Sequence, residues 1–182
     1  INPFDSEQLL QEGLAALIER ELLQFDRPNR VYSLHPIIRH YAYARLIDKD
    51  GVHTKLRNYF AAVPPPTKTE HLEDLSPIIE LYHHSLKARL YDDAWDIYNR
   101  KLRTPLYYHL SEYEYDLQLL QAMPTNKDSV PPLKSPIWCV WWLLYQTMCY
   151  ERLGQLSDGM GTVEKAIAWG TQAKEALVVA HA

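Results

Sequence analysis

The stretch LLYQTMCYERLGQLSDGMGTVEKAIAW, Leu143–Trp169, decides the fold. Its large residue at Leu143 is followed by Gln146 and Thr147 at +3 and +4 and by the aromatic Tyr150 at +7, the spacing of one helix face. Gly154 then supplies a stop, and Gly159, Val163 and Ala166 form the contact face of a second helix. A small residue in that second helix lets two backbones approach, so the stretch predicts an antiparallel helix pair.

The same frame returns upstream. In PIIELYHHSLKARLYDDAWDIYNRKL the corresponding residues are Ile78, Leu81, Tyr82 and Ser85, then Ala94 and Tyr98. Ala94 and Gly159 lie 65 positions apart, near two periods of about 34, the length of a tetratricopeptide unit. The unit between them, PLYYHLSEYEYDLQLLQAM, is degenerate, with Asp116 where a small residue belongs. Helices are predicted over 72–90, 92–102, 105–123, 136–153 and 157–169. Stacked pairs create a groove lined by first helices, and this frame puts Ile79, His83, Leu86, Lys87, Trp141, Leu144, Met148, Glu151 and Arg152 on the candidate protein-binding face. Covering of Trp141 and Leu144 by the next helix is the competing reading.

The N-terminal part differs. Leu9, Leu10, Leu14, Leu17, Ile18 and Leu22 recur at helical spacing, with Asp5 or Ser6 as cap. Two strand-like runs, 22–25 and 31–34, flank the turn Asp26-Arg27-Pro28-Asn29-Arg30 and predict a hairpin. Pro36 then suits a first helical turn, where a missing N–H costs nothing. Helix, hairpin and helix in this order form the C-terminal part of a winged helix. The expected organisation is a partial winged helix at 1–48, a connecting helix and Pro-rich linker at 49–70 containing Pro64-Pro65-Pro66, and helical repeats from 71 to 182. The fold class is therefore all-α, a tetratricopeptide-like superhelix preceded by one short hairpin. Ile1 in place of an initiator Met and the abrupt end EALVVAHA suggest a fragment of something larger.

Composition narrows the chemistry. A formal charge of -4 and Glu7, Glu12, Glu19 and Glu21 beside the lone Arg20 argue against a DNA-reading helix, although the wing adds Arg27 and Arg30. A winged-helix transcriptional regulator with a helical-repeat effector domain is the alternative function. His83 and His84 are adjacent and diverge by about 100° on a helix, and neither Cys139 nor Cys149 has a close ligand partner. No metal site is expected. Both cysteines read as buried thiols of a reducing cytosol. The apolar run at 138–150 is too short for a membrane span, which needs about 20 residues. No catalytic residue is assigned, because no Ser or Cys is placed beside a base.

The run GLAALIERELLQFDRPNRVYSLHPIIRHYAYARL resembles the winged-helix segment that follows the nucleotide-binding core of STAND ATPases of the NB-ARC type. Downstream, LYHHSLKARLYDDAW and LRTPLYYHLSEYEYDLQLLQAM are similar to the tetratricopeptide sensor region of bacterial, especially cyanobacterial, members. Arg89 stands where those repeats have Gly. In the family, a hydrophobic-His-Asp triad opens the last winged-helix helix, and its histidine contacts the β-phosphate of ADP. The resemblance implies that role for His35 of Leu34-His35-Pro36 in the full-length protein; Pro36 replaces the acid. The rival readings of His35 are a metal ligand or base and a plain helix cap. No glycine begins a GxxxxGK[ST] loop, so ADP or ATP is expected in an upstream domain and no cofactor in this fragment. The implied function is a non-enzymatic sensor fragment of a cytoplasmic signalling protein. Its expected partner is a protein or peptide ligand, or the upstream nucleotide-binding domain of the same chain.

Overall fold

A computed structural model describes residues 7–28, 31–127 and 129–180. Asp5, Ser6, Asn29 and Arg30, to which a cap and part of the turn were assigned, lie outside them. Eight α-helices and one two-stranded hairpin organise the described residues, an all-α architecture. The chain divides into two compact units, Ile1–Lys49 and Asp50–Ala182.

In the first unit α1 (Glu7–Glu19) leads into β1 (Leu23–Asp26), paired antiparallel with β2 (Val31–Leu34) in the register Leu23↔Leu34 and Phe25↔Tyr32. Phe25 and Tyr32 are directly opposite, and their rings stack with centroids 4.6 Å apart. The helix α2 (Pro36–Ala44) follows at once. Its proline sits in the first turn, where φ is already set for a helix.

All of α3 (Lys49–Ala62) but its first residue belongs to the second unit; its His53 is buried and its Arg57 pairs with Asp93 at 3.0 Å. The stiff Pro64-Pro65-Pro66 segment, expected at a domain boundary, thus lies inside this unit. A 3₁₀ turn at Leu72–Leu75 precedes α4 (Ser76–Lys87); the Asp74 carboxylate accepts from the backbone N–H groups of Glu70 and His71, both at 2.9 Å. Next come α5 (Tyr91–Ile97), α6 (Tyr113–Gln121), α7 (Pro136–Arg152) and α8 (Leu156–Ala180). No helix among the described residues is long and apolar enough to cross a membrane.

Three expected helix bounds are corrected, and the simplest is the helix expected over 157–169, which continues as α8 to Ala180. The helix begun by α5 does not stop at Leu102 but runs on through π-helical turns at Tyr98–Leu102 and Pro105–Leu110. Proline has no N–H and its ring collides with an i−4 carbonyl, so a wider i→i+5 register accommodates Pro105 where an α-turn would kink. The expected helix over 105–123 is then broken at Ser111, which takes φ 60°.

That break is one of four similar closures. Glu21, Arg89 and Gly154 also have left-handed φ, 57°, 60° and 72°. The N–H after each reaches back five residues: Leu22 to Leu17 O at 3.0 Å, Leu90 to Ser85 O at 2.9 Å, Gln155 to Tyr150 O at 2.9 Å. These are Schellman closures, which satisfy carbonyls that the helix leaves open. Five positions beyond three of them stand Ala94, Asp116 and Gly159, each donating its N–H four residues back, to Leu90 O, Glu112 O and Gln155 O. Ala94, Asp116 and Gly159 therefore occupy one equivalent position in three successive helix pairs, and all three are buried. The core of the unit gathers around Tyr82, Tyr98, Leu102, Leu106, Leu119, Leu120 and Leu143.

Candidate functional site

The π-turns of α5 put Asn99, Arg103 and Tyr107 in a row, and α7 sets Trp141, Tyr145, Met148 and Arg152 on one of its own faces. Where these rows meet, Arg103 is 4% exposed and Asp116 is fully buried. The Arg103 guanidinium donates to Asp116 Oδ2 at 3.1 Å and to Met148 Sδ at 3.2 Å. Tyr98 donates its hydroxyl to Asp116 Oδ1 at 2.7 Å, and the Cys149 thiol points to Oδ2 at 3.4 Å. A buried carboxylate is costly unless paired and hydrogen-bonded; this one has three donors.

Titration follows from that arrangement. Burial raises the Asp116 carboxyl above the usual carboxylate range, against the pull of Tyr98, Arg103 and Cys149. Burial, helped by the Asp116 charge, pushes the Tyr98 hydroxyl and the Cys149 thiol far above their ordinary values. Both therefore keep their protons and act as donors. Cys149 is free, buried and not activated as a nucleophile.

The arginine serves as a floor for aromatic rings. Its guanidinium carbon lies 4.0 Å from the Tyr107 ring centroid and 4.4 Å from that of Tyr145. Tyr145 also stacks on Trp95 at 5.8 Å, contacts Trp141 at 5.7 Å, and donates its hydroxyl to Asn99 Oδ1 at 3.1 Å. Arg152 Nε donates to Tyr107 OH at 3.1 Å. Trp141 and Tyr108 remain open to solvent at 46% and 62%. The result is an aromatic surface over a cation paired with a buried carboxylate.

The nine residues assigned to a protein-binding face separate into five environments. Ile79 and Leu86 are core residues, because α4 turns that side toward the remaining helices. His83 is half-buried against Tyr82, and Lys87 is exposed at the end of α4. Trp141, Leu144, Met148 and Arg152 belong to the α7 side of the aromatic surface, with Leu144 and Met148 partly buried. Glu151 instead lines a hollow between α7 and α8. Arg103, Tyr107, Tyr108 and Tyr145 were not anticipated. The available signal was Asp116, an acid at a small-residue position, which demands a basic partner.

His35 is exposed and closes α2: its Nδ1 accepts from Ile37 N–H at 3.3 Å. A second histidine cluster joins α3 to α4, with His53 Nδ1 and His84 Nδ1 2.9 Å apart and His84 Nε2 3.7 Å from Glu80. One of the two facing nitrogens must carry a proton and the other a lone pair. Burial, then mutual repulsion, lowers the pKa of His53; burial likewise lowers those of His83 and His84. Among the described residues no group of three His, Cys, Asp or Glu side chains could hold a metal ion. No protein-family model, curated protein or solved structure matches the chain.

Proposed function

We propose that this chain is a regulatory and sensing part of a STAND-type signalling ATPase of the cytoplasm, itself without enzymatic activity, whose helix pairs recognise a protein or peptide. The observation that carries the recognition half is the aromatic surface: Trp141 and Tyr108 stand exposed beside Tyr107, Tyr145 and Arg152, all held by the buried Arg103–Asp116 pair. Exposed Trp and Tyr beside Arg, already immobilised before contact, are the residues that dominate binding energy at interfaces. The sensor half rests on the resemblance around Leu34-His35-Pro36. The cap geometry supports it, since His35 is solvent-facing at a helix N-terminus, and a neutral imidazole there can donate its Nε2–H to a phosphate oxygen while Nδ1 holds the cap.

Nucleotide content of the full-length protein tests this reading. His35→Ala is expected to lower the ADP that copurifies and to raise basal activity, with thermal stability changed by no more than about 1 kcal/mol, as for other caps. Trp141→Ala with Tyr108→Ala should abolish the response to the activating protein while ADP content stays at the wild-type level. Unchanged nucleotide in the first variant, or an upstream reading frame without a GKT or GKS loop, removes the STAND assignment.

A further inference from the structure

The three equivalent helix pairs differ in what lies on them. In the first pair Trp95 and Tyr98, which follow Ala94, are 2% and 0% exposed. Trp95 lies under Tyr145 of α7, and Tyr98 bonds to Asp116 of α6. In the second pair Leu117 and Leu120, the matching residues after Asp116, are 6% and 1% exposed. There α7 is anchored by Trp142 Nε1, which donates to Leu120 O at 3.0 Å. An analogous anchor ties α4 to α6, where Tyr82 OH donates to Leu119 O at 2.6 Å. Each row at this position is thus covered by a helix.

In the third pair the matching residues are Met160 and Val163, the first exposed and the second only partly buried. Gly159 forms the floor, Met160 is 65% exposed, and the neighbouring Leu156 and Ile167 are 64% and 65% exposed. Leu156, Gly159, Met160, Val163 and Thr147 border a hollow of about 420 Å³ between α7 and α8. Glu151 and Glu164 also line it, and no basic side chain among the described residues does. From Leu156 to Ile167 the apolar row runs about 16 Å at roughly 1.5 Å per residue, three helical turns.

We infer that this groove docks an amphipathic helix of a partner protein, about three turns long, whose bulky apolar ridge covers Met160 and whose flanking Lys or Arg side chains meet Glu151 and Glu164. The internal equivalence gives the occupant's secondary structure, since helices cover both matching rows. The two glutamates give its charge. Within this chain α1 offers an apolar stripe, but one beside Glu7, Glu12 and Glu19, so a second copy presenting α1 brings like charges to the groove. The groove lies on the α8 side of α7 and uses none of Trp141, Tyr145 or Arg103, so this inference stands apart from the aromatic surface.

Fluorescence anisotropy of two labelled 18-residue peptides tests it. Both carry one leucine ridge at i, i+3, i+4 and i+7; one has lysine elsewhere, the other glutamate. The lysine peptide is expected to bind one per chain and the glutamate peptide roughly tenfold more weakly or worse, as like-charge contacts require. Met160→Glu should abolish binding. Glu151→Lys combined with Glu164→Lys should reverse the preference between peptides, a gain of function that a misfolded protein cannot produce. Trp141→Ala should leave both affinities unchanged, which separates this groove from the aromatic surface. Equal affinity for both peptides, binding that survives Met160→Glu, or sedimentation of the free chain as a dimer that Met160→Glu dissociates would each overturn the inference, the last in favour of a second copy as occupant.

Discussion

The middle and last helix pairs answer one packing question in opposite ways. At the position where a second helix crosses its neighbour, the middle pair carries Asp116 and the last carries Gly159. Gly159 lets α8 approach α7 so closely that an added Cβ would stand 3.4 Å from Tyr150 Cβ. Asp116 instead fills its place with charge and recruits Arg103, Tyr98 and Cys149 to hold it. The difference shows how a repeat position becomes specialised: a small residue serves only contact, whereas an acid there fixes an arginine beneath exposed aromatics and so connects core packing to surface recognition.

The largest expected effect removes one side of that contrast. Asp116→Ala leaves Arg103 buried without its partner and should cost about 3–5 kcal/mol in urea denaturation, whereas Arg103→Met together with Asp116→Ala should recover most of the loss. A smaller effect is expected at the other side. Gly159→Leu must push against Tyr150 and should lose about 1–2 kcal/mol, the ordinary result of overpacking.

The caps sharpen the comparison further. Arg89 and Gly154 close their helices with similar hydrogen bonds, but only glycine takes that φ without penalty. Arg89→Gly should therefore stabilise by about 1 kcal/mol and Gly154→Ala destabilise by about as much, read as opposite shifts in thermal midpoint. The histidines of α3 and α4 add a dependence on pH near neutrality. His53, His83 and His84 resist protonation when folded, while in the unfolded chain they titrate near 6.5. The folded state therefore binds fewer protons below neutrality, and its stability is full above about pH 7 and falls as pH drops through 6.5. Replacing His84 by Asn should flatten the midpoint between pH 5 and 7; an unaltered slope would mean that the pair is not the titrating element.

What the sequence disclosed was local. The hairpin and the start of α2 follow from turn residues and from Pro36, whose effects need no distant partner. The helix pair of α7 and α8 was legible because Gly154 is a glycine. Ser111 does the same work without that signature, so its closure was hidden and the segment 105–123 read as one helix. The continuation through Pro105 was hidden for a related reason: proline ordinarily ends a helix, and only neighbouring helices make a π-turn worthwhile. The site was half legible. Asp116 was visible as an exception to the small-residue frame, but its partner comes from α5, its thiol donor from α7 and its hydroxyl donor from the first π-turn, a meeting that no single stretch encodes.

The two cysteines give the core a chemical clock. Both are buried and free, and burial raises both thiols above the ordinary range, so almost no thiolate meets solvent while the helices stay packed. Alkylation then proceeds only through opening. Cys149 touches Asp116 and reports separation of α6 from α7; Cys139, whose thiol points to Pro131 O at 3.6 Å, reports release of the segment before α7. Labelling followed by mass spectrometry would assign each rate to its residue, and the ratio of the two rates measures whether the aromatic surface can loosen without the rest of the unit unfolding.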